Sequence, residues 1–141
     1  MLPSVKRINN EVQQLEKLQS EDAKWHFHKV DVDALTLEAS VHGYRVEFDL
    51  GKHYPFKAPY IYVKYTVNEK GVSTQKRMDL KQYVIGQLKR DFGEDYYKTK
   101  TCDLLVQLYD FLIPKWTPAI RIYDILKKLV VLWDTQAAEH S

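Results

Sequence analysis

Cys102 is the only cysteine of the chain and the first candidate for covalent chemistry. A thiolate is a strong nucleophile, and the nearby ammonium groups of Lys98 and Lys100 would favour the ionised form. The same surroundings also fit an unreactive structural or surface thiol. A single cysteine cannot form a disulfide within the chain, so we expect an intracellular, reducing compartment.

His26 and His28 come nearest to a metal-binding pattern. Side chains two positions apart in a strand lie on the same face, so the two imidazoles could supply two ligands. Asp31 and Asp33 form a similar pair in the same stretch. No other Cys, His or carboxylate recurs at ligand spacing, and we therefore expect neither a metal nor any other cofactor.

Composition excludes several further classes. The 141 residues carry 21 basic and 19 acidic side chains, a net charge of +2, so no overall field attracts nucleic acid or an anionic membrane. The sequence has no glycine-rich phosphate loop and no GxSxG motif. Its longest apolar run, residues 129–133, is far shorter than the roughly 20 residues of a membrane helix. We expect no membrane insertion and a cytoplasmic location by default, with an organellar assembly as the alternative.

Periodicity predicts the elements that must position these residues. Apolar residues at steps of three and four predict a helix over residues 4–18 and another that begins near Arg121. A period of two predicts four antiparallel strands, at residues 25–30, 35–40, 44–50 and 60–65, with a tight turn at His42-Gly43.

The segment Tyr54-Pro55-Phe56-Lys57-Ala58-Pro59 predicts a rigid turn at the sheet edge. Its two prolines fix φ twice and remove two backbone donors, which ends strand pairing. Phe56 is held between them and is a candidate hydrophobic anchor on a preorganised backbone. The alternative is that the motif only stabilises the fold.

This turn and the later Trp116-Thr117-Pro118-Ala119-Ile120 together resemble motifs of the ubiquitin-conjugating enzymes, which carry a YPFxxP turn and a Trp-Ser-Pro-Ala-Leu loop in that order. The turn alone is shared with the related RWD domains. When residues 108–120 are placed on the family pattern without a gap, the catalytic cysteine falls on Leu108 and the His-Pro-Asn motif falls on Lys98-Thr99-Lys100. The resemblance is therefore to the non-catalytic variants of this superfamily.

Residues 66–97 depart from the family and are interpreted as an insertion. We expect residues 67–76 to form an exposed polar loop, followed by a helix capped by Asp79. The apolar stripe of this helix either packs on the domain's own core or binds another protein. Its members are Leu80, Tyr83, Val84, Leu88 and Phe92, of which Tyr83, Val84 and Leu88 are taken as candidate protein-binding residues.

The resemblance also implies a second binding surface. In the family, RING-type ligases contact basic residues of the first helix, the phenylalanine of the turn and the Pro-Ala of the later loop. The matching residues of this sequence are Lys6, Arg7, Phe56, Pro118 and Ala119. The resemblance places two further helices after the one that begins near Arg121, and we expect this chain to lack them.

The sequence thus predicts one α+β domain of the UBC-like fold over residues 1–141, with an N-terminal helix, a four-stranded meander, a helical insertion and a C-terminal helix. Its expected function is that of a catalytically inactive, protein-binding scaffold. It would serve either as a structural subunit among other protein subunits or as an accessory factor that binds a ubiquitin-conjugating enzyme, ubiquitin or a RING-type ligase. The alternative is an active conjugating enzyme that forms a thioester through Cys102.

Overall fold

A five-stranded antiparallel sheet with helices packed on one face forms the framework of the protein. The structure is a computed structural model, and it describes residues 3–19 and 24–140, without the side chains of Pro3 and Ser4. The elements follow in the order α1 (Pro3–Leu18), β1 (Trp25–Asp31), β2 (Thr36–Val41), β3 (Tyr44–Asp49), β4 (Tyr60–Glu69), β5 (Val72–Asp79), α2 (Leu80–Phe92), a 3-10 helix (Gly93–Lys98), α3 (Lys100–Leu112) and α4 (Ile122–His140).

The strands form a meander in which each strand pairs with the next along the chain. Rows of apolar residues cross the sheet on its inner face, such as Ala39, Val46 and Val63, which lie opposite one another on β2, β3 and β4. All three side chains are buried. Because alternate residues point to opposite faces, the helices cover this side and leave the other to solvent.

The outer face of the sheet is polar and internally paired. Glu38 accepts hydrogen bonds from Arg45 at 2.8 Å and from Lys64 at 2.7 Å, and Arg77 donates to Glu47 at 2.6 Å. Burial alone would raise the pKa of Glu38, but its two cationic partners outweigh that effect and hold it below the usual value. Ion pairs therefore neutralise both of these buried or half-buried carboxylates.

Most of the predicted elements are confirmed, as is the α+β class. The helix over residues 4–18, the four strands and the turn at His42-Gly43 are present, with positive φ at both turn residues. Asp79 caps α2 by accepting a hydrogen bond from the Gln82 N–H. The last predicted helix begins at Ile122, and its apolar face is buried as expected.

The expected loop at residues 67–76 is wrong, because the chain forms a β-hairpin there. β4 continues to Glu69, turns at Lys70 and Gly71 with φ of 50° and 76°, and returns as β5. The sheet therefore has five strands rather than four. Since β3 pairs with β4 only as far as Lys64, the outer part of this hairpin extends beyond the sheet with both faces exposed.

Residues 100–112, which include the position matched to the family's catalytic cysteine, fold as helix α3, an element that was not predicted from the sequence. Thr99 caps this helix by accepting a hydrogen bond from the Cys102 N–H at 3.1 Å. The Glu139 carboxylate of α4 accepts from the Lys100 and Thr101 N–H groups, so two side chains satisfy the free donors of the first turn.

Within residues 3–19 and 24–140, no helix combines the length and the apolar character required to cross a bilayer.

Candidate functional site

The apolar stripe of α2 packs on the domain's own core, one of the two arrangements considered from the sequence. Val84 and Leu88 are each 0 % exposed, which corrects their assignment as protein-binding residues. Tyr83 is half-buried, and its ring lies 6.0 Å from that of Tyr44 and 6.1 Å from that of Tyr65. The candidate residues Tyr83, Val84 and Leu88 therefore stabilise α2 on the sheet and offer little surface to a partner.

Leu108, the position matched to the family's nucleophile, is buried within α3. Cys102 lies one helical turn and a half earlier and is half-buried. Burial raises the pKa of its thiol, and the adjacent Asp103 carboxylate adds to the effect. The thiol form of Cys102 is therefore favoured at neutral pH, contrary to the effect expected from Lys98 and Lys100. Lys98 is itself paired with Asp95 at 3.7 Å.

Alkylation of Cys102 by iodoacetamide should follow this shift. Because the thiolate is the reacting species, a raised pKa moves the rate–pH profile to higher pH than that of a cysteine in an unstructured peptide. Denatured protein, which has lost the burial, provides the matched control. A folded-state profile displaced towards lower pH would contradict the assignment of Cys102 as an unactivated thiol.

His26 and His28 contact each other, and His28 also contacts Ser40. The rings of His26 and His28 are 5.3 Å apart in an edge-to-face arrangement, and His28 Nε2 lies 2.5 Å from Ser40 Oγ. Across the described ranges, no cluster of three or more His, Cys, Asp or Glu side chains is arranged to hold a metal ion.

A buried carboxylate, that of Glu11, connects three segments of the chain. It is 1 % exposed and accepts hydrogen bonds from Arg7 Nε at 2.8 Å, from the Tyr54 hydroxyl at 2.5 Å and from the Ile122 N–H at 2.7 Å. Burial and the Glu11 charge raise the pKa of Tyr54 well above its usual range, so the hydroxyl remains a donor. Glu11 thereby fixes α1, the proline turn and the start of α4 together.

Two further hydrogen bonds complete this arrangement. Arg7 donates through Nη2 to the Ile120 carbonyl at 2.9 Å, and Trp116 Nε1 donates to the Pro55 carbonyl at 2.8 Å. Arg7 is half-buried and its guanidinium is engaged within the protein, so its assignment as a partner contact stays a prediction with little side-chain surface to support it.

The other residues of the implied surface remain available. Lys6, Phe56, Pro118 and Ala119 are all exposed. Their three segments are held side by side by the hydrogen bonds that Glu11 accepts from Tyr54 and that Arg7 and Trp116 donate. Phe56 is 76 % exposed on a turn whose Phe56 and Lys57 N–H groups are both held by the His53 carbonyl. An aromatic side chain thus projects into solvent from a backbone fixed on several sides.

An open groove of about 910 Å³ lies between this turn and the C-terminal end of α3. Phe56, Tyr60 and Ile113 stand at its sides, with 76 %, 71 % and 72 % of their surfaces exposed. Tyr109 and Trp116, both half-buried, also line it. The groove was not predicted from the sequence because one of its walls is α3, which was itself not predicted. The helical spacing of Leu105, Leu108 and Leu112 was the signal that could have indicated this helix.

Comparisons of this chain with known protein families, with curated proteins and with solved structures found no match.

Proposed function

We propose that this chain is a non-catalytic protein-binding domain, related to the inactive ubiquitin-conjugating-enzyme variants, and that it binds partners through Lys6, Phe56, Pro118 and Ala119. The observation that carries the proposal is the exposure of Phe56 on an immobilised turn. Large aromatic side chains supply most of the binding energy at many interfaces. A backbone that is already ordered loses little entropy on association.

The chemistry of Cys102 supports the non-catalytic part of the proposal. A transthiolating enzyme needs an accessible thiol of lowered pKa, whereas this thiol is half-buried and its pKa is raised. Incubation with ubiquitin and its activating enzyme should therefore leave no reductant-sensitive conjugate. A conjugate that disappears in the Cys102→Ser variant would overturn this part of the proposal.

The motif resemblance and the arrangement of the turn suggest the classes of partner. We place other subunits of a larger assembly first, followed by a ubiquitin-conjugating enzyme, ubiquitin or a RING-type ligase. Purification of the tagged protein from its native source would identify stoichiometric partners, which are then reconstituted for affinity measurements.

The Phe56→Ser variant should weaken the reconstituted complex by about 30-fold, the equivalent of roughly 2 kcal/mol for a central aromatic contact. Val72→Ser is the matched control, because Val72 is a 61 % exposed apolar residue on the β4–β5 hairpin. Thermal unfolding of both variants checks that the fold is kept. Equal affinity of the Phe56→Ser variant and the control would refute binding through this turn.

A further inference from the structure

We propose that the groove between the proline turn and the end of α3 binds an acidic segment of a partner protein, one that inserts a large apolar side chain between carboxylate-bearing residues. This inference rests on the proposed function and adds the chemistry of the partner. The occupant would contact Phe56, Tyr60 and Ile113 with its apolar part and the surrounding lysines with its carboxylates.

Exposed hydrophobic side chains are concentrated at this groove. Nine large ones are exposed within the described residues, and three of them line this single groove. Scattered apolar residues are ordinary on a protein surface, but a cluster around a concave site marks a binding groove.

Three lysines stand on the rim of the groove. Lys52, Lys57 and Lys81 line the groove and are exposed, and none of them forms an ion pair within the part of the chain that the structure describes. His53 lines the same groove and would add to the positive charge when protonated. The three ammonium groups of this rim are therefore available to pair with carboxylates of an occupant.

The groove also contains two carboxylates, and neither forms an ion pair with a rim lysine within the described residues. Asp79 accepts the hydrogen bond that caps α2, from the Gln82 N–H at 3.3 Å. Arg77 has its pKa raised chiefly by its hydrogen bond to Glu47, and the charge of Asp49 contributes to the same shift. Three lysines therefore face two carboxylates, which leaves the groove with a net charge of +1 from these side chains (3 − 2) and favours a negatively charged occupant.

The shape of the groove favours a peptide over an acyl chain. Its volume of about 910 Å³ is near the upper end for small-ligand sites, and it is partly open to solvent. An acyl chain would leave much of its surface in water there, whereas a peptide keeps its polar backbone solvated and buries one side chain. Tyr109, whose hydroxyl accepts a hydrogen bond from the Lys81 N–H at 3.0 Å, adds a fixed aromatic wall.

The test uses synthetic fluorescent peptides of equal length that share a central Phe-x-x-Leu and differ only in their flanks, which are Glu/Asp, Ser/Gly or Lys. We expect the acidic set to bind the full chain about tenfold more tightly than the neutral set, and added salt to reduce the difference. The double variant Lys52→Glu/Lys57→Glu should reverse the preference in favour of the lysine set. Lys70→Glu/Lys76→Glu, the same charge change at two exposed hairpin residues, should leave it unchanged.

Several outcomes would overturn the proposal. These are equal binding of the three peptide sets, binding of no set, binding unaffected by the Lys52/Lys57 charge reversal, or displacement of a bound probe by sodium oleate but by no peptide.

The Ile113→Ser variant should weaken binding of the acidic set without affecting folding, since Ile113 is exposed. If the native partner is lost in Phe56→Ser while charge reversal has no effect, the proposed function stands and the acidic partner does not. If the native partner ignores Phe56→Ser, the proposed function fails whatever the peptides do.

Discussion

The Glu11→Ala variant should lose about 3–5 kcal/mol of unfolding free energy, the usual cost of breaking a buried charged network by removing one partner. The substitution leaves the Tyr54 hydroxyl and the Ile122 N–H buried without an acceptor, and it leaves Arg7 without its carboxylate. Each unsatisfied buried group adds a desolvation cost. Because single domains are stable by only roughly 5–15 kcal/mol, this loss is a large part of the total.

Urea unfolding monitored by tryptophan fluorescence measures this loss. Glu16→Ala is the matched control, because Glu16 is exposed on the same helix and should change stability by no more than about 0.5 kcal/mol. Glu11→Gln keeps an acceptor oxygen and should fall between the two. A loss below about 1 kcal/mol for Glu11→Ala would show that the three segments hold together without this carboxylate.

The Val84→Asp variant is expected to unfold the domain or to cost at least about 4 kcal/mol, which is the range of the most disruptive single substitutions. Val84 is 0 % exposed between α2 and the sheet, so an aspartate there would bury a carboxylate without a partner. Circular dichroism and the urea midpoint report the effect directly.

Gln82→Asp provides the control, because Gln82 is exposed in the first turn of the same helix, where a negative charge is favourable. A Val84→Asp protein that stays folded but loses a partner would contradict the packing of α2 on its own core. It would return this stripe to the candidate binding surfaces.

The elements that could be predicted were those with a strong apolar period. The stripes of α1 and α4 and the alternation in β1 to β4 each place apolar residues on one buried face, and the structure contains them all. β5 was missed because residues 72–78 are exposed on both faces, so burial imposes no alternation. The Lys70-Gly71 turn between two runs containing Val and Thr was the remaining signal.

The missed parts of the site depend on contacts between distant segments. No element was predicted for α3, because its segment was compared only with the family motif although its own spacing, Leu105, Leu108 and Leu112, is helical. Glu11 falls on the buried side of α1 between Ile8 and Leu15, yet its partners lie 43 and 111 residues further along the chain. No local pattern can reveal such pairings. The position of Phe56 on a rigid surface turn, in contrast, was predictable because two nearby prolines constrain that turn.

The hydrogen bond from the Ile122 N–H to Glu11 has a consequence for synthesis on the ribosome. It joins α1 to the start of α4 across 111 residues, and Glu139 of α4 then completes the cap of α3. Contacts of such large sequence separation slow folding, because a long loop must close before they form. The nascent chain therefore cannot complete its core until α4 has left the exit tunnel. Until then the part of the α1 face that packs on α4 is uncovered, which favours chaperone binding or aggregation.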